Sequence, residues 1–222
     1  MRVFIYIFIF AIVCLFQLCR CAQVSEGGGK VTALPDPELS GKKTLEETIA
    51  SRRSVRSFSK KKVDEQQLGQ LLWAAQGITD ERRDFRSVPS AGALYPLEVF
   101  AVTAEGVYQY VPKGHSLRTI KEGDARGDLY KAALRQSSVR DAPLVIVIAA
   151  DYSRTAGKYG GRSERYVHME AGHAAQNIHL QAVALGLGSV PIGAFSDDTV
   201  SDVLLLPDKL APLYIIPVGY AD

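Results

Sequence analysis

Three arginines and a serine stand within five residues, Arg52-Arg53-Ser54-Val55-Arg56. Fork-shaped guanidinium groups take phosphate oxygens bidentately, and the Ser54 hydroxyl adds a donor, so the cluster suits the holding of a phosphorylated ligand. The same residues also read as a solvated basic face feeding Lys60-Lys61-Lys62. The loop Pro89-Ser90-Ala91-Gly92-Ala93-Leu94-Tyr95-Pro96 adds weight to the first reading. Its Pro89, Ser90, Ala91 and Gly92 present backbone groups without bulk, and a planar ring can lie against them. Val190-Pro191-Ile192-Gly193-Ala194-Phe195 is a second such surface, with an accessible Gly193 N–H. A donor aimed at a ring nitrogen is one way in which protein tunes a redox cofactor. A phosphate clamp and two flat small-residue surfaces together point to a flat phosphorylated cofactor.

These residues need elements to hold them. Thr44-Leu45-Glu46-Glu47 has the Thr-x-x-Glu form of a capping box and starts a short helix that runs out at the arginines. Asp64-Glu65-Gln66-Gln67 opens a second helix, with Leu68, Leu71, Leu72 and Ala75 on one face, Trp73 as a packing residue and Gly77 as its stop. Asp80 to Arg86 is a charged loop. Leu97 to Thr103 and Val107 to Val111 form a hairpin through Ala104-Glu105-Gly106. A helix is expected over Gly127 to Gln136. The uninterrupted apolar run Pro143 to Ala150 is a central strand covered on both faces. Ser163 to Leu185 keeps helical spacing through Val167, Ala171, Ala174, Ile178 and Leu185, and its small residues around Gly172 to Ala175 suit a central or dimer-forming helix. Strands at Ser189 to Phe195 and Leu213 to Val218 flank a short helix, Asp198 to Leu205. Helices and strands in this irregular order favour an α+β fold over a doubly wound parallel sheet.

Other chemistries find little support. His168, His173 and His179 lie about 140° and 240° apart on a helix, so they share no face and read as core or surface residues, not metal ligands. Gly186-x-Gly188-x-x-x-x-Gly193 follows a helix instead of joining a strand to one, which is wrong for a dinucleotide fingerprint. The chain has neither a nucleoside-triphosphate loop nor a Gly-x-Ser-x-Gly elbow. Asp197-Asp198 sits where helix capping accounts for it.

The N-terminal residues form a separate unit. Met1-Arg2 precedes the apolar run Val3 to Phe16 and then Gln17-Leu18-Cys19-Arg20-Cys21-Ala22. The run falls short of the ~20 residues that span a bilayer and fits a signal peptide over residues 1–22, cleaved after Cys21 or Ala22. An uncleaved anchor is the competing reading. The expected localisation is export, periplasmic or secreted. Loss of Arg2 and Arg20 lowers the 26 basic residues to 24, equal to the 24 acidic ones, so the formal net charge of +2 becomes zero. A neutral chain gives no reason to expect nucleic acid or an anionic membrane as partner. The three cysteines, Cys14, Cys19 and Cys21, all belong to this leader, which leaves no disulfide or cysteine metal site beyond it. Residues 23–43, with Gly27-Gly28-Gly29 and Leu34-Pro35-Asp36-Pro37, read as a linker. Residues 44–222 make one domain.

The ordered motifs resemble the nitroreductase superfamily, in its SagB-type dehydrogenase branch. They are Arg52-Arg-Ser-Val-Arg-Ser-Phe58, Pro89-Ser-Ala-Gly-Ala-Leu-Tyr-Pro-Leu-Glu98, Lys158-Tyr159-Gly160, Glu170-Ala-Gly-His-Ala-Ala-Gln-Asn177 and Gly188-Ser-Val-Pro-Ile-Gly-Ala-Phe195. The resemblance spans about Leu45 to Tyr220. It implies an α+β fold with a mixed central sheet flanked by helices, an intertwined homodimer, and FMN at the subunit interface. By the same resemblance Arg52, Arg53 and Ser54, with Arg56 beside them, hold the FMN phosphate and ribityl chain. Pro89 to Gly92 contact the isoalloxazine across the interface, and Pro191, Ile192, Gly193 and Ala194 line the ring. This chain departs from the wider superfamily in two places. It has Ala93 near an asparagine position, and it closes with Tyr220-Ala221-Asp222 where basic phosphate ligands are expected. Either fewer cations hold the phosphate, or Arg162 or Arg165 substitutes.

The leading functional expectation is an FMN-dependent oxidoreductase passing electrons from NAD(P)H or a similar donor to an organic acceptor, such as a nitro compound or quinone, by a ping-pong cycle. The resemblance also implies a narrower alternative, an azoline dehydrogenase acting on a modified peptide, in which Lys158-Tyr159 match an adjacent pair implicated in proton removal. A loop surface is the plainer account of that pair. A flavin-free binding module on the same fold is the alternative of another class.

Overall fold

A computed structural model describes residues 29–222. The segment expected to be a signal peptide, with its three cysteines, lies outside the described residues. Seven strands form one sheet in the order β1-β6-β5-β4-β7-β9-β8. They are β1 Val31–Ala33, β4 Leu97–Val102, β5 Gly106–Val111, β6 Ser116–Glu122, β7 Leu144–Ala150, β8 Gly188–Ser189 and β9 Ala211–Gly219. The short hairpin β2 Ile78–Asp80 and β3 Phe85–Arg86 stands apart. The α+β expectation holds. Every strand ladder is antiparallel, and the parallel pairing of the expected mixed sheet shrinks to a single bridge, Ser54 to Ser189.

β7 shows why the sheet is covered twice. All seven of its residues are buried. Leu144, Ile146, Ile148 and Ala150 enter the core formed with Leu71, Leu72 and Ile178, while Val145, Val147 and Ala149 enter the core with Leu129, Val139 and Val200. Alternate side chains of a strand point to opposite faces, so a continuous apolar run needs helices on both sides. One face carries α2 Glu65–Gln76 and α6 Ser163–Ala184; the other carries α3 Arg126–Ala132, α4 Ser137–Asp141 and α7 Asp197–Leu204. The remaining helices are α1 Leu45–Ser51 and α5 Ser153–Tyr159.

Both sequence-derived helix starts are complete capping boxes, Thr44 with Glu47 and Asp64 with Gln67. Gly77 caps α2 under the Trp73 ring, where a Cβ would stand 2.2 Å from Cδ1. The helix expected over 127–136 is instead two. Leu134 and Arg135 take φ of 53° and 59°, which ends α3 and lets α4 start afresh. The segment read as a linker contributes β1, paired with β6 at Val31–Arg118. The charged loop at 80–86 is the turn of the β2–β3 hairpin.

Candidate functional site

The arginine segment leaves α1 and is stitched to the far edge of the sheet. The Val55 N–H donates to the Ser189 carbonyl at 3.0 Å, and Ser54 bridges Ser189. Gly188 allows this approach, because a Cβ there would sit 2.6 Å from Val55 Cβ. Two distant motifs therefore become one surface. Ser189 leads directly into Val190 to Ala194, anchored where Ile192 and Ile215 exchange backbone hydrogen bonds. Gly193 and Ala194 face solvent, and no atom lies within 4 Å of a Cβ built on Gly193.

Within this group the arginines differ. Arg52 is half-buried and its Nη1 lies 2.9 Å from His179 Nε2 on α6. His179 Nδ1 lies 2.6 Å from Ser189 Oγ. A guanidinium only donates, so Nε2 must accept and the proton of a neutral imidazole sits on Nδ1, pointing to Ser189. Burial, with the Arg52 charge beside it, pushes the His179 pKa down to about 4, in agreement with that neutral form. Arg53 is exposed, and its Nη1 donates to the carbonyls of Ala50 (3.1 Å) and Arg52 (2.7 Å), at the end of α1. Arg56 is exposed. Among the described residues no salt bridge involves Arg52, Arg53 or Arg56. Arg165 precedes His179 by 14 positions on α6, roughly 21 Å of helix, so within one chain neither it nor Arg162 reaches Arg52.

A second group forms around the Pro89–Gly92 loop. Gly92 has φ 65°, and a Cβ on it would meet Lys158 Nζ at 2.8 Å and Tyr159 Oη at 2.9 Å. Lys158 and Tyr159, at the end of α5, thus converge on the small-residue loop. Tyr159 is braced edge-to-face by Tyr166 at 5.0 Å. The loop itself is unusual: Ala93 and Tyr95 have φ of 54° and 46°. Such left-handed conformations cost roughly 1–3 kcal/mol each and persist only where neighbours enforce them. Here the Tyr95 N–H donates to Ser90 Oγ (2.9 Å), Arg154 Nη1 donates to the Tyr95 carbonyl (2.9 Å), and Arg86 stacks over the Tyr95 ring at 4.6 Å.

Beneath the loop lies Glu170 of α6, only 2% exposed. Burial raises its pKa to about 7, against the pull of Ser90, Arg86 and Gln76 beside it. Glu170 Oε1 and Gln76 Nε2 are both buried without a hydrogen-bond partner. Glu170 and His179 are nine positions apart on α6, about 13 Å, so one helix backs both groups. Neither was singled out as a site residue from sequence. Both interrupt the apolar stripe of Val167, Ala171, Ala174 and Ile178, and a charged or titratable residue inside such a stripe is the available signal. Of the other histidines, His168 bonds Tyr152 Oη at 2.6 Å and His173 is exposed.

The Nitroreductase family model matches residues 49–220. The chain belongs to the nitroreductase family. A Methanocaldococcus jannaschii protein assigned as a nitroreductase, MJ1384, is 45% identical over 181 residues, covering 79% of this chain and 90% of that one. The NADPH-flavin oxidoreductase of Vibrio harveyi is 27% identical over 184 residues, covering 79% of this chain and 65% of its own length. A crystal structure assigned as a nitroreductase, from Ralstonia eutropha, superposes with a TM-score of 0.79 at 27% identity, covering 88% of this chain and 92% of that one. Family membership makes this nitroreductase an oxidoreductase with a nitroreductase-like fold.

The residues present fit a phosphorylated flavin. Arg52 offers a cation whose fixed partner is neutral, and Ser54 lies beside it on the same strand-like segment. Pro191 to Ala194 continue from that segment with an open glycine.

Proposed function

We propose that this nitroreductase is an FMN-dependent oxidoreductase that passes electrons from NAD(P)H or a similar donor to an organic acceptor in a ping-pong cycle. The observation that carries the proposal is the joining of Arg52-Arg53-Ser54 to Ser189, at the root of the open Pro191–Ala194 surface. FMN, when bound, supplies hydride chemistry that needs no protein nucleophile. The protein's part is to bind and orient. Arg52, Arg53 and Ser54, with Arg56 at the rim, hold the phosphate. The Gly193 N–H is the donor toward the ring, and Pro191, Ile192 and Ala194 shape the surface it rests on. The flavin chemistry of the Vibrio harveyi relative supports the same reading.

The proposal includes a homodimer with the Pro89–Gly92 loop serving the partner's flavin. Leu45 and Ile49, one turn apart on α1, are 60% and 55% exposed, and Met169 on α6 is 50% exposed. Apolar side chains set out in this way suit burial against a second copy.

The deciding experiment is the visible spectrum of the purified protein, followed by the same spectrum for Arg52→Ala/Arg53→Ala. Flavin absorption in the first and its loss on gel filtration in the second are expected. Full flavin retention by the double variant would remove the phosphate clamp, and a colourless native protein would favour a flavin-free module.

A narrower reading has its own observation. Lys158 Nζ and Tyr159 Oη meet over Gly92, where an acceptor can be reached by a proton-transfer pair. This favours substrates that must lose a proton on oxidation, such as azoline rings in a modified peptide.

A further inference from the structure

Arg52 is held by a neutral group. Where a protein fixes a half-buried arginine, a carboxylate is the usual partner, and the pair then has no net charge left for a ligand. Here the chain is Arg52 Nη1 to His179 Nε2 at 2.9 Å and His179 Nδ1 to Ser189 Oγ at 2.6 Å. His179 and Ser189 are 3% and 1% exposed, so this support is sealed from water. Ser189 is tied in turn to Val55 through its carbonyl, at 3.0 Å. The guanidinium is oriented from behind, on one nitrogen, while among the described residues its positive charge and its other N–H donors stay uncommitted.

We infer that His179 is a positioning residue for phosphate binding: it locks Arg52 toward a phosphate monoester without neutralising it. This rests on the reading of the Arg52 cluster as the flavin phosphate site. It goes beyond that reading by assigning a role to a buried histidine behind the arginine. A carboxylate in its place would orient Arg52 equally well and cancel the charge. Neutrality is therefore the property on which the role depends.

The test compares FMN with riboflavin, which lacks only the phosphate. The full chain, stripped of flavin by dialysis, is titrated with each by fluorescence quenching, for the parent, His179→Gln, His179→Glu and His179→Leu. Glutamine keeps a neutral acceptor for Arg52 and a donor for Ser189, so its preference for FMN over riboflavin should stay within about threefold of the parent's. Glutamate should lower that preference by about tenfold or more, as should leucine, with riboflavin affinity unchanged throughout. The Gln and Glu variants are near-isosteric, so the comparison stands even if leucine fails to fold. Equal preference in the Gln and Glu variants would overturn the inference while leaving the phosphate site intact. A parent that binds riboflavin as tightly as FMN would overturn the phosphate reading itself, and the inference with it.

Discussion

Lys158 and Tyr159 belong to a different group of side chains from the proposed phosphate clamp. Their side chains converge on Gly92, whereas the clamp is built on Arg52, His179 and Ser189. Lys158→Ala and Tyr159→Phe should keep bound flavin and its reduction by a chemical reductant, but lower turnover with the physiological acceptor by ~10²–10⁴-fold. Unchanged turnover in both would return the pair to a surface role. Glu170 makes a different prediction. Its native pKa, raised from 4.5 to about 7, means the folded chain keeps a proton that the unfolded chain has released. Stability therefore falls as pH climbs from about 4.5 to about 7 and levels off above, a loss of roughly 3 kcal/mol. His179 acts oppositely: its depressed pKa, about 4 against 6.5, removes stability as pH falls through that window. The two partly cancel in the parent. Glu170→Gln should abolish the first contribution, so its melting temperature relative to the parent should be higher at pH 8 than at pH 4. Parallel melting curves across that range would mean Glu170 titrates normally.

At the scale of elements, legibility followed the locality of the signal. Thr44 and Asp64 announce helices because a capping box is complete within four residues. Pro143 to Ala150 announces a central strand because burial on both faces demands an unbroken apolar run. β6 went unread: Arg118, Lys121 and Glu122 dilute its pattern, and pairing with β5 and β1 carries it instead. β1 is exposed at all three residues, so only its backbone declares it a strand. The α3–α4 break depends on two left-handed residues that carry no glycine to mark them. The motifs proposed to face the ligand are short runs of sequence, but their supports are not, since His179 and Glu170 acquire meaning only from Arg52, Ser189 and Ser90 across the fold. The junction of α1 with β8 gives a direct test. Gly188→Ala places a methyl 2.6 Å from Val55 and should destabilise by about 1–3 kcal/mol through overpacking. Val55→Gly in the same chain removes the Cβ that the new methyl meets and should recover part of that loss, a non-additivity expected of contacting residues. Additive losses in thermal melts would show that the two do not meet.

For the whole molecule, the proposed homodimer gives a mass of about twice 24.2 kDa, less any processed leader, by light scattering. A flavin-loaded monomer would refute it. The sheet order has one more consequence. β9 lies between β7 and β8, and the arginine segment rests on β8, so Arg52 finds His179 only across a separation of 127 residues. During synthesis the arginine segment emerges early, and the sheet edge it rests on is not complete until β9 has left the ribosome. The nascent chain must carry β7, apolar on both faces, paired with β4 but open on its β9 side for that interval, a circumstance that favours aggregation. On the proposed reading, flavin uptake must wait until β9 is in place, long after the arginines that are to hold the phosphate have been made.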